Sequence, residues 1–326
     1  MKAVVFDAYG PPEVLHVGEV AKPAPKNDEL LIRVHAAEAT KADCEFRRSR
    51  FAVKWLWPTT RLFTGITKPR LRVLGWYFAG TIESVGSSVT RLQPGDEVFG
   101  CTKLRMGAYG EFVSLPESYS IVPKPANISF EEAAAVPLGG LNALHFMTLA
   151  SIKPGGSVLI NGAGGSIGSF AIMIAKTMGT EVTAVDRTEK QEMLRSLGAD
   201  HVIDYTREDV TKSGKRFDVI MTMVAQSPYS GFVGMLKPGG RYLIVNPRLS
   251  DMVRSFITSR FSDKTATFAF AGEKPEELLQ LKEMIEAGKI RPVLDRVFPM
   301  DQAAEAHHMV ETEQRLGTIV IRIGDA

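Results

Sequence analysis

The stretch Asn161-Gly162-Ala163-Gly164-Gly165-Ser166-Ile167-Gly168 constrains this chain most, because it joins two different periodicities. Before it, Ser157-Val158-Leu159-Ile160 reads as a short buried strand, and after it Ile167, Phe170, Ala171, Ile174, Ala175 and Met178 recur at helical spacing. A glycine-rich turn from strand into helix lets backbone N–H groups approach a pyrophosphate, which then meets the positive end of the helix. Gly162 and Gly165 suit the tight turn, Ala163, Ser166 and Ile167 complete it, and Gly168 permits close packing of helix on strand. The glycine spacing is G-x-x-G-x-x-G rather than G-x-G-x-x-G, so the loop is weighed together with its surroundings.

Those surroundings agree. Glu181 to Val185 forms a second strand that ends on Asp186, about 20 residues past the loop, where such folds read a ribose. A helix with Met193, Leu194 and Leu197 on one face closes at Gly198. The further apolar runs His201–Tyr205, Phe217–Met223, Arg241–Val245 and Thr265–Phe270 bring the count to about six strands, as a doubly wound dinucleotide domain requires. Two strands are introduced by the same tetrapeptide, at Lys153–Gly156 and Lys237–Gly240, which reads as a shared turn and not as a repeat.

With 326 residues the chain has room for two domains, and 44% hydrophobic with 23% charged residues is ordinary for a globular protein. A net charge of +2 argues against a nucleic-acid surface, the run Arg47-Arg48-Ser49-Arg50 being the local exception. No apolar run reaches the roughly 18 residues of a transmembrane segment, and the first residues enter a strand without a signal-peptide pattern, so a cytoplasmic location is expected. Cys44 and Cys101 cannot build a disulfide framework.

Residues 1–125 read as β-rich, with strand-like runs Leu30–Val34, Ala79–Val85 and Glu97–Phe99 broken by Gly86, Pro94 and Gly95. The nucleotide-binding segment, 126–272, opens near Ser129, where Glu132 three residues on marks a capping box. After it come a charged helix Pro275–Ala287, a run Val293–Phe298, a helix from Asp301 and a strand Gly317–Ile323. A six-stranded sheet has no place for that last strand. Residues 273–326 are therefore expected to return to the first domain, which leaves the doubly wound α/β domain inserted within it.

Several stretches resemble the medium-chain dehydrogenase/reductase superfamily, and within it the zinc-independent quinone oxidoreductase-like branch. They are Gly80–Gly86 followed by Pro94–Val98, then Gly107–Val113, then Leu197–Tyr205. The resemblance spans essentially the whole chain. It implies a GroES-like β-rich domain carrying a Rossmann domain, with the active site in the cleft between them. It also implies an NAD(P)H-dependent hydride transfer to a quinone, enone or similar activated small molecule, and possible assembly as a homodimer. The alternative is a non-catalytic NADP(H)-binding sensor or interaction protein.

The resemblance also addresses zinc and the site residues. The alcohol dehydrogenase branch places ligands where this chain has Thr40 and Trp76, neither of which ligates zinc, so no metal is expected. The adjacent His307 and His308, and His145, read as surface or packing residues, since neighbours on a helix face different ways. Candidate donors to the substrate are Thr40, Lys41 and Tyr77, and Asp43 corresponds to a structural aspartate. Asn142 is placed near the nicotinamide, with Val224 and Asn246, each just after a strand, lining the same crevice. Asp186 argues for NAD(H), whereas Arg187, Lys190 and Tyr205 can hold a 2′-phosphate, so NADP(H) is expected over NAD(H). The stretch Phe51–Leu74, with Trp55 and Trp57 among basic residues, suits a lid, a subunit contact or a membrane-surface element.

Overall fold

The computed structural model describes residues 1–50, 64–269 and 272–324. Trp55 and Trp57, and with them the lid expectation, lie outside the described residues. The chain divides into two compact units, one of Met1–Pro137, Glu273–Glu286 and Pro292–Ala326, the other of Leu138–Gly272 and Ala287–Arg291.

The first unit is built on a seven-stranded sheet in the order Leu294–Pro299, Thr318–Arg322, Glu29–Ala39, Tyr77–Val85, Glu97–Cys101, Ile121–Pro123, with Phe112–Pro116 paired to Glu29–Ala39 off this path. Its pairings are antiparallel except the one between Leu294–Pro299 and Thr318–Arg322. The strand read as Leu30–Val34 is longer, Glu29–Ala39, because its second half pairs with the last strand of the chain. Leu30, Ile32, Phe78, Val98, Tyr109 and Ile319 are fully buried here, and each large apolar side chain so placed contributes about 1.5–3 kcal/mol. The end of the aromatic and basic stretch is pinned to the strand Lys2–Val5: Val73 bridges Val5, and Leu74 is buried in the same core.

The second unit holds a six-stranded sheet in the order His201–Asp204, Glu181–Asp186, Ser157–Asn161, Phe217–Thr222, Leu236–Ile244, Thr265–Phe268. All its pairings are parallel. In chain order this is 3-2-1-4-5-6, the order of the doubly wound fold, and the direction reverses between the first and fourth strands. Ser157–Asn161 is buried along its whole length, as a strand covered on both faces must be. The helix Ser166–Thr177 follows it directly and buries Phe170, Ala171, Ile172 and Ile174. Among the described residues no helix is long and apolar enough to cross a membrane.

Candidate functional site

In the second unit the glycine loop leaves the first strand at the point where the sheet order reverses. Gly162 adopts φ +83°, which favours glycine, and its N–H and that of Ala163 both donate to Val185 O, at 3.0 and 3.1 Å. Gly165 is the N-cap of the helix Ser166–Thr177 and has no side chain with which to cap it. A Cβ added at Gly165 would meet nothing nearer than Gly162 O at 3.9 Å, so the space beside it is open. At Gly168 a Cβ would stand 2.5 Å from Ala163 O, so that glycine is required by the close approach of helix and loop. The Ser166 hydroxyl, at the first helical position, is buried without a hydrogen-bond partner among the described residues. An unmet buried polar group costs about 1–3 kcal/mol. An uncapped helix start, an open space beside a glycine and an unmet hydroxyl are what a bound pyrophosphate would complete.

Asp186 turns inward from the end of the second strand. Its Oδ2 accepts from Gly164 N at 2.7 Å and its Oδ1 from Arg187 N at 2.9 Å. Lys190 is also drawn in, with Nζ donating to Gly164 O at 3.2 Å and lying 3.9 Å from Asp186 Oδ1. Both side chains are buried. The short reach from Lys190 back to the loop places both charges inside, so Lys190 is not exposed for a 2′-phosphate as the sequence suggests. Arg187 and Tyr205 are the exposed pair, with Arg187 Nε donating to Tyr205 Oη at 2.7 Å. Val224 and Asn246 follow neighbouring strands, and Asn246 Nδ2 donates to the carbonyl of Met223, the residue before Val224, at 2.8 Å. Asn142 instead donates to Leu138 O of its own helix, at 2.9 Å.

In the first unit the candidate donors are already engaged. Thr40 caps the helix Lys41–Arg48: its hydroxyl donates to Asp43 Oδ2 at 2.6 Å and accepts from Asp43 N at 3.1 Å. The other carboxylate oxygen, Oδ1, accepts from Gly75 N at 2.9 Å, so Asp43 ties the Thr40 turn to the segment carrying Trp76 and Tyr77. Burial raises the Asp43 pKa to about 6, while bonds from Thr40, Gly75 and Tyr109 hold it down from going further. Tyr77 is buried and donates to Glu273 Oε1 at 3.1 Å. Lys41 is exposed and pairs with Glu313 at 2.7 Å. The indole Nε1 of Trp76 is buried and has no hydrogen-bond partner among the described residues.

Sequence reasoning missed a buried relay beside these groups. Arg47, the first residue of the basic run, is fully buried and gives NH1 to His307 Nδ1 at 3.0 Å and NH2 to Glu311. His307 Nε2 lies 3.0 Å from Tyr109 Oη, and Tyr109 bonds Asp43. Since Arg47 can only donate, His307 Nδ1 is the acceptor and Nε2 carries the proton. Burial, with Arg47 adding to it, lowers the His307 pKa to about 3 and keeps the ring neutral. His308 is exposed. Nothing in the spacing of these residues marks the pairing, because 260 positions separate Arg47 from His307.

Family models match three parts of the chain. They are described as alcohol dehydrogenase GroES-like domain over residues 26–126, alanine dehydrogenase/PNT, C-terminal domain over 133–228, and zinc-binding dehydrogenase over 197–321. Quinone oxidoreductase of Sus scrofa is 31% identical over 94% of this chain and 93% of its own. The chain belongs to the medium-chain dehydrogenase/reductase superfamily, in its quinone oxidoreductase-like branch. Another relative, the chloroplastic NADPH-dependent alkenal/one oxidoreductase of Arabidopsis thaliana, is 30% identical over 98% of this chain and 79% of its own. The solved quinone oxidoreductase of Coxiella burnetii superposes with a TM-score of 0.89 at 28% identity, covering 99% of both chains. Among the described residues no group of three or more His, Cys, Asp or Glu could hold a metal ion.

Proposed function

We propose that this chain is a zinc-independent, NADP(H)-dependent oxidoreductase that reduces quinones, enones or similarly activated small molecules. The observation that carries the reading is the glycine cradle, with open space beside Gly165 and an unmet Ser166 hydroxyl at the start of a helix. The names of the relatives, an NADPH-dependent alkenal/one oxidoreductase and a quinone oxidoreductase, support the cofactor and the substrate class. A reduced nicotinamide supplies a hydride equivalent when bound. The Gly162–Gly168 backbone and Ser166 would hold the pyrophosphate, and Arg187 with Tyr205 the 2′-phosphate. Lys190 offsets the charge of the inward-turned Asp186 and thereby leaves the positive charge of Arg187 to the ligand. Negative charge that develops on a substrate oxygen must be met by a hydrogen-bond donor.

The test is NADPH oxidation with a panel of enones and quinones, and expected turnover on several members supports the reading. Dinucleotide binding without turnover would favour the sensor alternative. Cofactor choice is read from kcat/KM with NADPH and with NADH. Arg187→Ala should lower the NADPH value roughly ten- to a hundredfold and leave NADH nearly unchanged, through loss of one charge-assisted contact. Lys190→Ala should lower both together, since its contact is to the loop. A parent that prefers NADH would overturn the NADP(H) assignment.

A further inference from the structure

The helix Leu249–Phe261 of the second unit has two unlike faces. Asp251 and Ser255 point inward and are buried, while Leu249, Val253, Phe256, Ile257 and Phe261 share the outward side by helical spacing and are exposed. Phe256 and Phe261 are 71% and 76% exposed. Single apolar side chains at a surface are ordinary, but five large ones in one stripe mark a face that meets something. By the same spacing Arg260 falls within the stripe and Arg254 at its border, and both are exposed. Arg254 lies over the Tyr229 ring at 5.8 Å and Arg260 over Phe261 at 5.7 Å. The helix's one acid, Asp251, is buried and held by Arg248 at 2.9 Å. The face therefore carries positive charge that no carboxylate of this helix meets.

Whatever covers such a face must supply both an apolar surface and anions. A second copy of the helix supplies the first and not the second, because it sets Arg254 and Arg260 against their own images. A partner strand added at the neighbouring sheet edge is also disfavoured. Ser259 Oγ accepts from Ala266 N at 3.0 Å and donates to Ala266 O at 3.1 Å, which closes the middle of the last strand, Thr265–Phe268. A bilayer with anionic phospholipids supplies both, acyl chains for the stripe and headgroup phosphates for the arginines. We propose that the helix Leu249–Phe261 docks the protein on the surface of a membrane containing anionic phospholipid. It lies in the interface and does not cross it, since 13 residues reach about 20 Å against a hydrocarbon core of about 30 Å. The long arginine stems stay with the stripe while their charged heads rise to the phosphates.

The test is co-sedimentation of the whole protein with vesicles of phosphatidylcholine and phosphatidylserine, and with vesicles of phosphatidylcholine alone. Binding is expected to the mixed vesicles, weaker to phosphatidylcholine alone, and falling as salt is raised. Arg254→Gln and Arg260→Gln should each weaken it about fivefold, and Phe256→Ser with Phe261→Ser should weaken it by about tenfold or more. All four positions are exposed, so melting temperatures should stay at the parental value. A second readout follows the helix itself. Cys44 and Cys101 are buried, so a thiol-reactive, polarity-sensitive dye goes to Phe256→Cys, where its emission should shift to the blue on mixed vesicles. At Glu208→Cys, just past the opposite edge strand His201–Asp204, it should not. A parent that ignores mixed vesicles, undiminished binding in the double phenylalanine variant, or a dye at position 256 that does not shift would overturn the proposal. So would a parent dimer that binds no vesicles and falls to monomer in the double phenylalanine variant, which would give the face to a second copy.

Discussion

Gly165 and Gly168 stand three positions apart in one loop and carry opposite constraints. At Gly165 the backbone lies at φ −96° and an added side chain meets open space, whereas at Gly168 it meets the Ala163 backbone. Gly165→Val should therefore keep the parental melting temperature and lose dinucleotide affinity by fluorescence titration, while Gly168→Val should lower the melting temperature itself. Undiminished affinity in Gly165→Val would displace the pyrophosphate from this loop. His307 makes a prediction in pH. Its folded pKa, about 3, lies below its ordinary value of 6.5, so the unfolded chain takes up the proton first and stability is lost as pH falls from 6.5 toward 3. Asp43, raised to about 6 from 3.8, acts in the opposite sense: the folded state takes up its proton first, which favours folding as pH falls through that window. The two nearly cancel between about pH 6 and 4, and below that range the His307 loss is unopposed. The stability gap between the parent and His307→Gln should accordingly narrow as melting is followed down to pH 3.5, and a constant gap would deny the ring its buried neutral state.

Among elements, those with strong local signals were legible from the chain. Ser129 and Glu132 form the reciprocal cap their spacing predicts, with Glu132 N donating to Ser129 at 3.1 Å and Ser129 N donating back at 2.9 Å. The six parallel strands of the second unit were also countable, since each is a short apolar run between turn residues. The strand Glu29–Ala39 was cut short because its second half, Ala36 to Ala39, is small residues around a buried Glu38, without the alternation that marks a strand. The second capping box, Thr40 with Asp43, was missed because Asp stands where Glu or Gln is usual, and with it went the structural use of the Thr40 hydroxyl. Thr40→Ala should cost about 1–2 kcal/mol through the lost cap, while Thr40→Ser retains both stability and turnover. A Thr40→Ala enzyme of parental stability but abolished turnover would return Thr40 to the substrate.

At the scale of the molecule, metal independence is the broadest expectation, because it concerns the chain and not one loop. Chelator treatment should leave turnover unchanged and elemental analysis should find no stoichiometric zinc, and chelator-sensitive turnover with bound zinc would reverse it. Dinucleotide at a hundredfold excess over its Kd should raise the stability of the second unit by about 2.7 kcal/mol, read as a higher melting transition. The order of the strands also governs how such a chain is made. Every strand of the parallel sheet comes from the middle of the sequence, whereas Glu29–Ala39 pairs with Thr318–Arg322. On a ribosome, the unit begun second therefore has all its strands first, and the unit begun first waits for the last segment to emerge. Through that interval one flank of Glu29–Ala39 offers unpaired N–H and C=O groups to whatever strand arrives. The nascent protein thus carries a defined and temporary edge, the place where a chaperone has most to guard and where a neighbouring chain on the same message would first go astray.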